Sequence, residues 1–141
     1  MKGKAKILIV EDELELAFLM TLALTRIGCD VETVCNGKKA MQLASEIKFD
    51  LITLDIELPD MSGFDVCTEL KQRHISRNTP VIFISARPCA TDIREGMKRG
   101  AVDYIAKPFD VTELIYRVVY YAKVKASQTT DRGTEMEAVR T

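Results

Sequence analysis

The chain has 141 residues, of which 47% are hydrophobic and 29% are charged, and its formal net charge is −1. This length suffices for one domain with a single core, and the near-neutral charge argues against direct binding to nucleic acid or to anionic membranes. No apolar stretch approaches the roughly 18 residues of a membrane-spanning helix, and the start of the chain lacks the apolar core of a signal peptide, so we expect a cytoplasmic protein.

Short apolar segments alternate with longer segments of helical periodicity, which is typical of repeated βα units around a parallel sheet. Strands are predicted near residues 5–10, 31–34, 50–55, 80–85 and 102–105, and helices near 13–27, 37–47, 63–74, 90–99 and 111–124. The first and fourth strands are continuously apolar, as expected for strands covered on both faces, whereas the more polar second strand indicates a sheet edge. Gly28 and Gly100 are predicted to end the first and fourth helices, and Asp110 to cap the last.

Five βα units with helices on both faces predict a doubly wound, flavodoxin-like α/β fold with strand order 2-1-3-4-5. Its ligand crevice is expected outside the carboxyl ends of the strands, between strands one and three. After residue 124 the sequence becomes polar and loses its apolar period, so residues 1–124 are assigned to one domain and 125–141 to a polar tail or linker. We expect this segment to be a linker before an effector domain, and a stand-alone chain is the alternative.

The cysteines show no metal-binding spacing. Cys29, Cys35, Cys67 and Cys89 form no Cys-x-x-Cys pair, and His74 is the single histidine. A zinc site is therefore not expected. Free thiols are the expected state, and a redox switch between Cys29 and Cys35 is the alternative.

Charged residues occupy the ends of three predicted strands. Glu11 and Asp12 follow the first strand, Asp55 ends the third and Lys107 follows the fifth. Clustered carboxylates repel one another unless a cation binds, and ligands that are all oxygen suit Mg²⁺ or Mn²⁺. At such a site a carboxylate can attack phosphorus to form an acyl phosphate, with Lys107 and the hydroxyl of Ser85 contacting the phosphoryl oxygens.

These residues resemble the pattern of the receiver domain of bacterial two-component response regulators, over about residues 4–125 of this sequence. That family has an acidic pair after strand one, an aspartate ending strand three, Ser/Thr-Ala ending strand four and an aromatic residue three positions before Lys-Pro. The matching residues here are Glu11-Asp12, Asp55, Ser85-Ala86, Tyr104 and Lys107-Pro108, with Pro59 and Gly63 in the loop after Asp55.

The resemblance implies a phosphorylation-dependent signalling switch, not an enzyme apart from catalysing its own phosphorylation and dephosphorylation. Asp55 would accept a phosphoryl group from a sensor histidine kinase or a phosphotransfer protein. Glu11, Asp12, Asp55 and the backbone carbonyl of Glu57 would hold Mg²⁺. The Lys107-Pro108 bond would be cis, which the small trans preference of X-Pro bonds permits.

The resemblance also implies a switch and a means of tuning it. Phosphorylation would draw Ser85 toward the phosphoryl group and let Tyr104 turn inward, which biases the face formed by helix four, strand five and helix five. Tyr104 as a simple strand-edge aromatic is the alternative. Glu57 and Arg87 would reach across the mouth of the site and adjust the lifetime of the phosphoryl group.

Two surfaces are candidates for self-association. The resemblance favours a homodimer through helix four, strand five and helix five, with Tyr116 and Tyr120 as apolar contacts and Arg94, Lys98 and Asp103 as charges. In the first helix, the residues predicted to face the core are Leu16, Leu19, Met20, Ala23 and Ile27. Leu14, Phe18 and Leu22 fall opposite, either as scattered exposed residues or as a partner surface or docking place for the tail.

The main alternative function is a haloacid-dehalogenase-like, Mg²⁺-dependent phosphatase, which also uses a strand-end aspartate and a lysine. The segment Asp55-Ile56-Glu57 matches that family's Asp-x-Asp motif only loosely, because the second acid is a glutamate.

Overall fold

The computed structural model describes residues 3–86 and 89–124. Its strands are β1 (Lys6–Val10), β2 (Asp30–Val34), β3 (Leu51–Leu54), β4 (Val81–Ser85) and β5 (Asp103–Ala106). Its helices are α1 (Leu14–Arg26), α2 (Gly37–Glu46), α3 (Gly63–Gln72), α4 (Ala90–Lys98) and α5 (Val111–Ala122). The predicted tail, residues 125–141, lies outside the described residues.

The strands form one parallel sheet in the order β2-β1-β3-β4-β5, which confirms the predicted topology. The register pairs Val10 of β1 with Leu54 of β3, so these two strands end side by side. β2 lies at an edge and is the strand with the most exposed residues, as its polar sequence predicted.

Both faces of the sheet are covered, because successive strand residues point to opposite sides. Leu8 belongs to the core under α2 and α3, and its neighbour Ile9 belongs to the core under α1 and α5. Because the side chains on both faces of such a strand are buried, consecutive residues along it are apolar. Among the described helices, none is both long and apolar enough to cross a membrane.

The predicted glycine ends of α1 and α4 and the predicted cap of α5 are confirmed, while α3 and α5 end two residues earlier than predicted. Gly28 and Gly100 follow α1 and α4 with φ of 96° and 107°, a left-handed conformation that costs glycine little. Asp110 caps α5, since its Oδ1 accepts a hydrogen bond from the amide of Thr112 at 2.9 Å.

Helix α1 buries a different set of residues from the one predicted. Its buried residues are Ala17, Met20 and Leu24, while Leu16, Ala23 and Ile27 are half-buried. Leu19, predicted to face the core, is 52% exposed. Apolar residues occupy much of this helix, so the 3.6-residue period does not single out one face. Leu19 joins Leu14, Phe18 and Leu22 in an exposed apolar surface, here called the α1 patch.

Cys29 and Cys35 cannot form the disulfide that a redox switch between them requires. They lie on either side of the five-residue strand β2, and an extended strand rises about 3.3 Å per residue, which separates them by roughly 20 Å. A disulfide requires Cα atoms within about 7 Å of each other. Both are free thiols, and burial, together with the charge of Asp50, raises the pKa of Cys29 to about 11.

Candidate functional site

The end of β1 and the end of β3 place two carboxylates next to each other. Glu11 follows β1 directly and Asp55 follows β3 directly, and the amide of Asp55 donates to the carbonyl of Val10 at 3.1 Å. Both acids are buried, with 2% and 5% of their surfaces exposed. The parallel register thus holds two acidic side chains at the switch point of the sheet, where doubly wound folds bind ligands.

Asp12 completes an acidic cluster at this point. Glu11, Asp12 and Asp55 each offer a carboxylate oxygen, and these oxygens all lie within 4.8 Å of one another. Asp12 is exposed, so the cluster opens to solvent on one side. Mg²⁺ binds oxygens at about 2.1 Å, which places opposite ligands roughly 4.2 Å apart. The donor set and its span therefore fit a hard divalent cation with open positions for water or a phosphoryl oxygen.

Lys107 brings a positive charge into the same cluster. Its Nζ lies 2.8 Å from Oδ2 of Asp55 and 3.0 Å from Oε1 of Glu11. The Lys107-Pro108 peptide bond is cis, as predicted. The amide of Lys107 donates to the carbonyl of Ser85 at 2.8 Å, which ties the residue after β5 to the end of β4.

Burial and charge act against each other on these groups. Burial raises the pKa of Glu11, although a hydrogen bond from Lys107 and one from the amide of Glu13 oppose the shift. Burial on its own would lower the pKa of Lys107, but its hydrogen bonds to Asp55 and Glu11 outweigh it and the pKa is raised. Lys107 therefore stays charged and balances part of the negative charge of the cluster.

The β3–α3 loop folds tightly over Asp55. The amide of Glu57 donates to Oδ1 of Asp55 at 3.0 Å, and the amide of Gly63 donates to the carbonyl of Ile56 at 2.7 Å. A Cβ on Gly63 would collide with the carbonyl oxygen of Asp55, so only glycine permits this approach. Glu57, which was predicted to supply a carbonyl ligand, thus lies directly beside the acidic cluster.

Ser85 and Tyr104, the predicted switch residues, lie on the neighbouring strands β4 and β5. Ser85 is fully buried at the end of β4. Tyr104 is half-buried, and its ring lies 6.5 Å from that of Phe83. Arg87, the predicted tuning partner of Glu57, lies outside the described residues.

Glu13 also lies at this site, although the strand-end pattern of the sequence did not point to it. Its Oε1 lies 3.9 Å from Nζ of Lys107, and its amide donates to Oε2 of Glu11 at 3.1 Å. Its position two residues after Glu11 was the available signal, but acids are common at the start of a helix because they interact favourably with the helix dipole. Glu13 orients Glu11 through its backbone while its own side chain remains exposed.

Comparisons with protein-family models and with curated proteins agree with each other. A family model described as the response regulator receiver domain matches residues 7–119. The chain is 41% identical over 113 residues to Response regulator ArlR of Staphylococcus saprophyticus, which covers 80% of this chain and 50% of that protein. It is 39% identical over 113 residues to Transcriptional regulatory protein TcrA of Mycobacterium tuberculosis, covering 80% and 44%. The chain thus spans about half the length of these curated relatives.

Solved structures share the fold. A putative response regulator from Chloroflexus aurantiacus superimposes with a TM-score of 0.81 at 29% identity, covering 86% of this chain and 99% of that one. The receiver domain of a sensor histidine kinase from Pseudomonas aeruginosa gives a TM-score of 0.79 at 27% identity, covering 86% and 99%. In that second structure a magnesium ion is coordinated in the active-site cleft.

Proposed function

The chain belongs to the response regulator receiver family, and on this basis we propose that Asp55 is the residue through which this signalling switch is phosphorylated. One observation carries the proposal: the buried carboxylate of Asp55 lies beside Glu11 and Asp12 and contacts Nζ of Lys107 at 2.8 Å. An oxygen nucleophile, a cation site and a fixed positive charge converge at one opening of the sheet. The phosphatase alternative lacks support, because the matching family model and the relatives named above are response regulators.

The proposed reaction transfers a phosphoryl group from a phosphohistidine of a sensor histidine kinase or phosphotransfer protein. A carboxylate oxygen of Asp55 attacks phosphorus, so that a P–O bond forms as the P–N bond breaks. The imidazole leaves with the bonding electron pair and is neutral because its other ring nitrogen carries a proton. Lys107 and the hydroxyl of Ser85 contact the phosphoryl oxygens and offset the charge that gathers there. Water later hydrolyses the acyl phosphate at the same site.

Glu11, Asp12, Asp55 and the backbone carbonyl of Glu57 are the proposed ligands of Mg²⁺, with Mn²⁺ as a substitute of the same ligand preference. When bound, the cation supplies charge neutralisation for the incoming phosphodonor. Glu11 is already oriented for this role by the amide of Glu13, and Asp55 by the amide of Glu57. Glu57 is a proposed tuning residue, together with Arg87, which lies outside the described residues.

Replacing Asp12 by alanine is expected to raise the dissociation constant for Mg²⁺ at least about tenfold, because one of three carboxylates is lost. Isothermal titration of Mg²⁺ into the unphosphorylated chain measures this directly. Asp30→Ala is a matched control, since it removes an exposed carboxylate at the opposite end of edge strand β2. Equal affinities for parent and Asp12→Ala would place the cation site elsewhere.

Signal output is proposed to pass through Ser85 and Tyr104 to the face formed by α4, β5 and α5. The ring of Tyr104 lies 6.5 Å from the ring of Phe83. The ring of Phe83 in turn packs against Gly96 of α4. An inward turn of Tyr104 would therefore alter the packing beneath α4. The exposed large apolar side chains of α4 and α5 are Ile93, Met97, Val111, Tyr116 and Tyr120.

A homodimer through this face is the proposed consequence of phosphorylation. Tyr120 is 71% exposed and has the rigid, amphipathic character that interfaces favour. Asp103 of β5 already pairs with Arg117 of α5 at 2.8 Å, so both signs of charge lie on the same face. The α1 patch is the competing surface.

Tyr116→Ala with Tyr120→Ala is expected to abolish a dimer that the parent forms with Mg²⁺ and a beryllofluoride phosphoryl mimic. Sedimentation velocity measures the change, and Phe18→Ser in the α1 patch is the control that should leave the dimer intact. If the dimer is lost only in Phe18→Ser, the α1 patch forms the interface. A dimer unaffected by either change would exclude both surfaces.

A further inference from the structure

The β3–α3 loop carries Glu57, and contacts within the loop close its base. Glu57 and Ser62 form an isolated antiparallel bridge, and the amide of Gly63 donates to the carbonyl of Ile56. These contacts join the two ends of the loop, next to Asp55. The tip of the loop, residues 58–61, lies beyond them and depends on its neighbours for its position.

Asp60 attaches this tip to the start of α2. Its Oδ1 accepts a hydrogen bond from the amide of Gly37 at 2.8 Å, and its Oδ2 accepts one from the amide of Lys38 at 2.9 Å. The amides of the first helical turn have no partner within the helix, so an outside acceptor is needed. The side chain of Asn36 accepts a hydrogen bond from the amide of Lys39. The side chain of Asp60 accepts hydrogen bonds from the amides of Gly37 and Lys38. The first turn of α2 is therefore capped from two separate parts of the chain.

Charge and shape both favour this attachment. A carboxylate at a helix N-terminus interacts favourably with the helix dipole, and the hydrogen bond from Gly37 leads the contributions that lower the pKa of Asp60. Gly37 also leaves room for the next loop residue, because a Cβ there would lie 2.5 Å from Cγ of Met61. The loop tip thus rests on α2 through a two-oxygen hydrogen-bonded contact and a close side-chain contact.

We propose that Asp60 is a positioning residue for the cation site: by fastening the tip of the β3–α3 loop to α2, it adds to the restraint that the base contacts place on the backbone of Glu57 beside Glu11, Asp12 and Asp55. The inference rests on the proposed Mg²⁺ site. Mg²⁺ requires near-ideal octahedral geometry. If the loop that carries a carbonyl ligand is not held in position, the affinity of the site for Mg²⁺ therefore falls. Asp60 itself does not touch the cation, and α2 becomes part of the support of the site.

The test compares Asp60→Ala with Asn36→Ala, because each removes a cap of α2 and only the first releases the loop. Both variants are expected to lower the thermal midpoint. Asp60→Ala is expected to raise the dissociation constant for Mg²⁺ about tenfold, Asn36→Ala to leave it within about twofold of the parent, and Asp60→Asn to fall between them because one acceptor oxygen remains. Isothermal titration gives the affinities, and circular dichroism verifies that each variant is folded.

Hydrogen exchange provides a readout that does not depend on the cation. Without Mg²⁺, Asp60→Ala should speed amide exchange over residues 57–62, and Asn36→Ala should not. If Asp60→Ala and Asn36→Ala show the same Mg²⁺ affinity, Asp60 is only a helix cap and the proposal is wrong. If the parent binds no Mg²⁺, or Asp12→Ala binds as well as the parent, the proposed cation site fails and this inference fails with it.

Discussion

Replacing Asp55 by asparagine is expected to abolish stable phosphoryl incorporation from acetyl phosphate with Mg²⁺. An amide oxygen is a far weaker nucleophile than a carboxylate and forms no acyl phosphate. The fold should persist, because Lys107 keeps its ion pair with Glu11 at 3.0 Å and the repulsion between Glu11 and Asp55 is relieved. Intact-mass spectrometry measures the adduct, and urea unfolding checks that stability is retained.

The matched control is Asp30→Asn, which makes the same chemical change at an exposed position at the start of edge strand β2. This variant should form the same adduct as the parent. Peptide mapping of the parent locates the modified residue. An equal adduct in Asp55→Asn, or a phosphoryl group mapped to Glu11 or Asp12, would overturn the assignment of Asp55.

Replacing Phe83 by alanine is expected to lower the free energy of unfolding by about 3–5 kcal/mol, the usual cost of removing a buried phenyl ring. Phe83 is fully buried in β4. Its ring lies edge-on to that of Phe64 at 5.3 Å, and Gly96 of α4 packs directly on it. Because small domains are stable by only about 5–15 kcal/mol, this loss is large.

Urea unfolding followed by circular dichroism measures the loss through the shift of the midpoint at constant slope. The matched control is Phe18→Ala, since Phe18 is 67% exposed on α1 and its removal should cost no more than about 0.5 kcal/mol. Similar losses in the two variants would show that burial under α4 does not distinguish Phe83. It would also remove the physical basis for coupling Tyr104 to α4 through this ring.

Local sequence signals were sufficient for the order of elements and for the acidic site. Strands β1, β3 and β5 are each followed directly by a charged residue, so the strand-end positions of Glu11, Asp55 and Lys107 could be read from the sequence. The parallel βα pattern restricts the topology to a few arrangements, and the carboxyl ends then converge by construction. Glycines after α1 and α4 marked the helix ends because the left-handed conformation strongly favours that residue.

The exposed face of α1 could not be predicted in the same way. Leu19 fits a helical apolar stripe, yet it is exposed, while Ala17 and Leu24 are buried. With apolar residues on several faces, periodicity leaves more than one orientation with similar burial. The choice was made by packing against β1 and β2 and against α5, which no local pattern contains.

By itself the sequence determined the strands, the helices, their order and the strand-end positions of the acids, because each depends on neighbours a few residues away. Only the tertiary structure decided which groups pair. Asp60 of the β3–α3 loop, for example, caps α2 across 23 residues of sequence. Asp60 looks like an ordinary loop residue in the sequence, since its partners are backbone amides that carry no residue-type signal. Such contacts follow from how the loops are brought together at the sheet edge, which depends on the packing of the whole domain.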